Sequence, residues 1–194
     1  TRLRQGLDSV LGEPVTILRI DDSGTKGLSG SEDDPLGNFN ALCRNQLVTS
    51  EDKPARGGSY GLGKAVLWGF SSISTVMFSS RIDIDGDRSR SRLFGRAELA
   101  HHATDSGQWS GQGWFGQRQH TNHGERAVSL WDHAADSTAR RASLFRPAQL
   151  GNGTTILVLG FREPDQEQDR SVVDIASDIT RSTARWFWPG IHSA

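Results

Sequence analysis

The 194-residue chain is poor in cysteine, methionine and tyrosine, with one of each. Cys43 alone excludes an internal disulfide and a multi-cysteine zinc site, and a single thiol suits the reducing cytoplasm, where the protein is therefore expected. An excess of either charge is missing too: the formal net charge is −1, so no global field draws the chain to nucleic acid or an anionic surface. Long apolar runs are absent. None approaches the roughly 18 residues of a membrane span and no signal-peptide pattern opens the chain, so no membrane partner is expected. Lysine is scarce, at positions 26, 53 and 64 only, against 19 arginines. The apolar share, 35 %, is low but above the disordered range, and six tryptophans argue for a packed interior.

What is present reads as one α+β domain over residues 1–194. "TRLRQGLDSVLGEP" places Leu3, Leu7 and Val10 at helical spacing before the stop signals Gly12 and Pro14, with no capped start. The chain reads as part of a longer multidomain protein that begins inside a helix. Strands are expected near 15–20, 74–80, 91–100 and 154–161, and helices near 64–73 and 171–187, the last ended by Pro189. "HAADSTARRASLF" reads as a further helix and "AVSLW" as a further strand. Residues 31–56 read as a mobile loop around a short helix, and 101–127, rich in His, Gln, Gly and Trp, as an irregular insertion without usable periodicity. The histidines of that insertion form no metal-ligand spacing with Cys43 or a carboxylate, so no metal site is expected from them. "GQGWFG", 111–116, reads as a packed turn, with Trp114 and Phe115 available to a partner surface.

Three short motifs carry chemistry. In "RGGSYGLGKAVLWGF", 56–70, glycines loosen the backbone just before Lys64 and a run of helix formers. Amides that can turn toward a ligand, followed by a helix start, suit phosphate. Gly58, Gly63 and Lys64 nearly spell a P-loop, but Ala65 stands where a magnesium-ligating Ser or Thr belongs, and "SEDKPARGG" cannot be the strand a P-loop follows. Gly58, Gly61 and Gly63 instead fit a G-x-x-G-x-G turn wrapped on a phosphate chain; a structural glycine turn is the plain alternative. Asp22-Ser-Gly24, followed by Gly27, comes directly after the strand "VTILRI". A carboxylate there can accept from an exocyclic amine while Gly24 lets a flat base approach; an ordinary Asx turn is the alternative. Gly153-Thr154-Thr155 opens the strongest strand, "GTTILVLGF", where a threonine hydroxyl can brace a carboxylate or bridge to a base through water; a Gly-Thr pair that merely enters a strand is the alternative.

In that order, "IDDSGTKGL", "GGSYGLGK" and "GNGTTILVLGF" resemble the three later boxes of the GHKL (Bergerat-fold) ATPase superfamily, over residues 14–161. The resemblance implies an α/β sandwich, a mixed but largely antiparallel sheet with helices on one face. It implies ATP as ligand, with Asp22 on the adenine amino group, Gly24 and Gly27 along the base, and Gly58, Gly61, Gly63 and Lys64 on the phosphates. Thr154 would support Asp22, and Asp21 takes its place if the box is set one residue over. Residues 29–63 would be the ATP lid, loosely packed without nucleotide. Binding would drive lid closure and then dimerisation or domain rearrangement, read by downstream domains, a protein partner or DNA. The superfamily's first box, a helix with a Glu base and a magnesium-binding Asn, has no counterpart here, since "TRLRQGLDSVLG" contains no Glu-x-x-x-Asn. The resemblance therefore implies that the Mg2+ ligand lies outside this chain, and no catalytic residue is assigned within it. A GHKL-like domain kept for interaction or sensing without catalysis is the alternative; hydrophobic residues upstream in place of Glu-x-x-x-Asn would distinguish it.

Overall fold

The structure, a computed structural model, describes residues 2–12, 14–45, 62–84, 88–163 and 170–192. In chain order the elements are helix α1 (Arg2–Gly12), strand β1 (Ile17–Asp21), a π-helical turn (Asn40–Arg44), a 3₁₀ turn (Leu62–Lys64), helix α2 (Ala65–Gly69), and strands β2 (Thr75–Ile84) and β3 (Arg88–Glu98). Strands β4 (His102–Thr104), β5 (Gly107–Trp109), β6 (Gln112–Phe115), β7 (Gln117–Thr121), β8 (Gly124–Val128) and β9 (Leu130–Trp131) follow. Helix α3 (Asp132–Arg141), a 3₁₀ turn (Ala148–Leu150), strand β10 (Gly153–Leu159) and helix α4 (Val172–His192) complete the chain. It divides into two compact units, Thr1–Arg162 and Glu163–Ala194.

The first unit is an α+β fold around one sheet, in the order β1-β10-β2-β3-β6 with β9 also paired to β3. All its pairings among the described residues are antiparallel. Alternation along the strands gives the sheet two covered faces. On one, Val76, Phe78 and Phe94 pack with Leu28, Phe39, Cys43 and Trp68 of α2. On the other, Met77, Leu93 and Leu157 pack with Leu144 and with Ala135 and Ala139 of α3. The two alanines stand one turn apart, and their small size lets the helix lie close to the sheet. Arg140 and Arg141 fall in the last turn of α3, at the negative end of its dipole.

The insertion at 101–127 is not irregular: it folds into the hairpins β4–β5 and β7–β8, with β6 added to the sheet edge. The "GQGWFG" stretch is thus largely strand rather than turn, and Trp114 leans on Phe94 with ring centroids 5.8 Å apart. Both hairpins turn through glycines of positive φ, Gly107 and Gly124. Helix α4 runs on past Pro189 to His192, beyond the end expected from the sequence.

Residues 29–45 are packed rather than loose. Phe39 and Cys43 are fully buried, and the Asn40 amide donates to the carbonyls of Ser31, Glu32 and Asp34 at 3.1, 3.1 and 2.6 Å. The polar composition misleads because these groups bond to one another and to the sheet. Arg92 of β3 lies wholly buried beneath the segment, its guanidinium carbon 3.5 Å from the Phe39 ring centroid. It donates to the carbonyls of Leu28 and Gly30 at 2.8 and 2.7 Å, to the Ser129 hydroxyl at 2.8 Å and to Glu32 at 2.9 Å. Glu32 also accepts from Arg44 at 2.8 Å and from the Ser129 amide at 3.0 Å. Arg96, nearly as buried, donates to the carbonyls of Arg44 and Cys43 at 2.6 and 3.3 Å and pairs with Glu98.

Burial pushes the Glu32 carboxyl up, but the bonds from Ser129 and Arg92 outweigh it and hold the group below its ordinary value. A carboxyl lowered in the folded state stabilises the fold above its unfolded pKa, and that contribution is lost as pH falls through the folded value. Glu32→Gln should therefore lower stability by about 3 kcal/mol at neutral pH, because it leaves the Arg92 charge buried and uncompensated. Urea unfolding measures this. The same variant should show a shallower loss of stability below about pH 4.3, the ordinary glutamate value.

Candidate functional site

β10 lies between β1 and β2, and the site gathers where its first residues meet the end of β1. Asp21 faces Thr155 in register. Asp22, one residue past the strand, keeps the pairing: its amide donates to the Thr154 carbonyl at 2.9 Å, and the Thr154 amide donates back to the Asp22 carboxylate. The second Asp22 oxygen accepts from the Thr25 hydroxyl at 3.2 Å. Consecutive residues point to opposite faces, so the two aspartates part company. Asp22 takes the face of Leu28, Thr154 and α2, whereas Asp21 takes the face of α3.

The carboxylate of Asp21 is engaged on that second face. It accepts from Arg19 at 2.8 Å and from the Thr155 hydroxyl at 2.5 Å, with Arg146 at 4.0 Å. The Arg19 bond, joined by Thr155 and opposed by burial, holds the Asp21 carboxyl below the usual carboxylate range. Of the two threonines, the hydroxyl that reaches a carboxylate is that of Thr155, on Asp21. Thr154 meets Asp22 through its backbone amide, not through the hydroxyl expected from the sequence.

Gly24 and Gly27 both have positive φ, 67° and 60°, a region closed to most side chains. They differ in surroundings. A Cβ on Gly27 would stand 2.5 Å from the Ser80 hydroxyl and 2.9 Å from the Arg81 carbonyl, so this glycine lets the loop press on β2. Nothing lies within 4 Å of a Cβ built on Gly24, which leaves its face open beside the pinned carboxylate. Ser80, buried on β2, joins both ends of the site. Its hydroxyl donates to the Gly153 carbonyl at 2.7 Å and accepts the Leu28 amide at 2.9 Å.

The phosphate motif is described in part. Gly58 and Gly61 lie outside the described residues. Gly63 and Lys64 form the 3₁₀ turn that leads into α2, and the Lys64 ammonium donates to the carbonyls of Ala41 and Asn45. Burial, with the nearby Arg96 charge, lowers its pKa. Trp68 of α2 and Leu28 at the end of the Asp22 loop belong to one core cluster, so both motifs border the same sheet face. Asp22, Gly24, Gly27 and Thr154 are thus brought together, with Lys64 on a neighbouring element of that face. Ser80, Thr25 and Arg146 were not singled out from the sequence, because an isolated polar residue within a strand or loop carries no spacing signal; Thr155 stood in the Gly-Thr-Thr motif, but the role of supporting Asp22 was expected of Thr154.

A carboxylate fixed by an amide and a hydroxyl, next to an open glycine backbone, fits the amino-bearing edge of a flat base. Among the described residues no three acidic, histidine or cysteine side chains converge. No helix is long and apolar enough to cross a membrane among the described residues. Compared with protein-family models, curated proteins and solved structures, the chain matches none.

Gly153 has φ 146°, and a Cβ on it would stand 2.6 Å from Arg146 Nη2, from the Asp22 carbonyl and from an Asp22 carboxylate oxygen. Gly151 has φ 60° with nothing within 4 Å. Gly151→Ala should cost about 1 kcal/mol, the left-handed penalty alone. Gly153→Ala should exceed that by about 2 kcal/mol, since strain and close contact combine. Denaturant midpoints of the two variants check the order.

Proposed function

We propose that this chain is the ATP-binding part of a GHKL-type ATPase. One observation carries the reading: Asp22 is held at the end of β1 by the Thr154 amide and the Thr25 hydroxyl, beside the open backbone of Gly24. Asp22 of the Asp-x-Gly motif and Thr154 of the Gly-Thr motif, 132 positions apart in the sequence, are there in contact. Asp22 accepts the exocyclic amine of adenine, Gly24 lies along the base, and Gly63 and Lys64 take the phosphates, Lys64 exchanging the carbonyls of Ala41 and Asn45 for phosphate oxygens. Gly27 serves one step removed, by letting the loop press on β2. The position of Asp21, on the other sheet face and bonded to Arg19 and Thr155, favours Asp22 as the base-reading carboxylate.

Nucleotide binding in this reading drives a rearrangement that pairs two copies or moves neighbouring domains. ATP brings the phosphoanhydride bond to be hydrolysed; the described residues contribute base recognition and phosphate contact.

Titration calorimetry with ATP and ITP tests the reading. The unaltered protein should prefer ATP, because ITP carries an oxygen where adenine has its amine. Asp22→Asn should weaken ATP binding by about tenfold to a hundredfold, the equivalent of a hydrogen bond to a charged group. ATP binding equal to that of the unaltered protein, or no adenine-nucleotide binding in the unaltered protein, overturns it.

A further inference from the structure

Arg146 lies 124 positions after Asp22 and is 4 % exposed. Its guanidinium is wrapped by the turn that precedes β10. Nε donates to the Gly151 carbonyl at 3.0 Å, and Nη2 donates to the carbonyls of Leu150 and Asn152 at 3.0 and 3.2 Å. Nη1 reaches the Thr155 hydroxyl at 3.5 Å and stands 4.0 Å from the Asp21 carboxylate. A planar fork can satisfy three successive carbonyls at once, and a buried guanidinium requires that many acceptors.

The clamped atoms are those that hold the candidate site. The Asn152 carbonyl accepts the Gly24 amide at 3.0 Å. Gly153, the next residue, sits where even a methyl group would strike both Arg146 and Asp22. The anchor is itself anchored: Arg19 of β1 donates to the carbonyls of Ser143 and Phe145, at 2.9 and 3.1 Å, just before Arg146. Arg19 of β1 thus grips the loop before β10, while Arg146 of that loop grips the turn at 150–152, and both guanidiniums stand beside Asp21.

We infer that Arg146 is a positioning residue of the candidate site, clamping the turn at 150–153 so that Asn152 and Gly153 hold the Asp22–Gly24 loop in its base-reading form. It touches no ligand itself. The nucleotide consequence rests on the ATP reading above; the clamp does not.

Arg146→Lys keeps the charge and removes the fork, and Leu144→Ala serves as a destabilised control on the same loop. In the free full chain, Arg146→Lys should speed amide exchange at 22–24 and 150–154 while leaving 76–80 unchanged. Unchanged exchange at 22–24 overturns the inference. Should the variant fail to fold, exchange of the unaltered protein in rising urea decides: joint opening of 22–24 and 150–154 supports the clamp, and separate openings overturn it. With nucleotide, Arg146→Lys should weaken ATP about tenfold, the equivalent of one charge-assisted hydrogen bond, and narrow the preference for ATP over ITP. Leu144→Ala should leave that preference intact. A preference unchanged in Arg146→Lys, in a protein that binds ATP, overturns the positioning role. A complete lack of ATP binding by the unaltered protein overturns the nucleotide reading instead, and exchange then decides the clamp.

Discussion

Burying a guanidinium removes it from water at a cost of several kcal/mol unless its donors are met and its charge is balanced. This fold buries two on one strand, Arg92 and Arg96, on the same sheet face as Phe94. The constraint organises everything above that face. Backbone carbonyls from Leu28, Gly30, Cys43 and Arg44 turn inward to accept, and Glu32 supplies a carboxylate to Arg92 and Arg44 together. Phe39 stacks over Arg92, adding an aromatic face to the cation. A segment in which acids, glycines and asparagines make up 8 of the 17 residues 29–45 is thereby fixed, and the Asp22 loop inherits a firm downstream end at Leu28.

The other face works by apolar packing. Leu93, Leu157 and Met77 meet the alanines of α3, and polar contacts are displaced to the rim, where Arg19, Asp21 and Arg146 gather. The candidate site lies where these two regimes meet, at the sheet end shared by β1 and β10. One aspartate belongs to each regime, which is why adjacent carboxylates in the sequence have unlike environments.

The main strands were legible because burial on two faces leaves a dense apolar record: "VTILRI", "STVMF" and "GTTILVLGF" all lie at or within a strand. Helix α4 was legible from apolar spacing as far as about Phe187 but not in its run past Pro189, and α3 was legible without such a spacing. The hairpins between 102 and 128 were not, because most of their residues are exposed and neither face imposes an alternation. The packing of 29–45 was hidden for a different reason. It depends on Glu32 meeting Arg92, a match across 60 positions that local composition cannot report. Within the site, Asp22, Gly24 and Gly153 stood out because positive φ and strand ends favour such residues. Ser80 and Arg146 did not, since each acts through carbonyls that every residue possesses.

The order of strands in space differs from their order of synthesis. β10 is the last strand of the sheet to be made, yet it is the inner neighbour of β1, the first. β2 and β3, by contrast, adjoin in both senses and can pair as soon as they exist. On a ribosome the hairpin core therefore has its partner at hand, whereas β1 has no strand to pair with until residue 159 has emerged. Pairings of such long sequence separation form slowly, after the local ones. Any nascent chain or fragment ending before Gly153 leaves Asp22 with Thr25 but without Thr154, and leaves one edge of β2 unpaired and available to another chain.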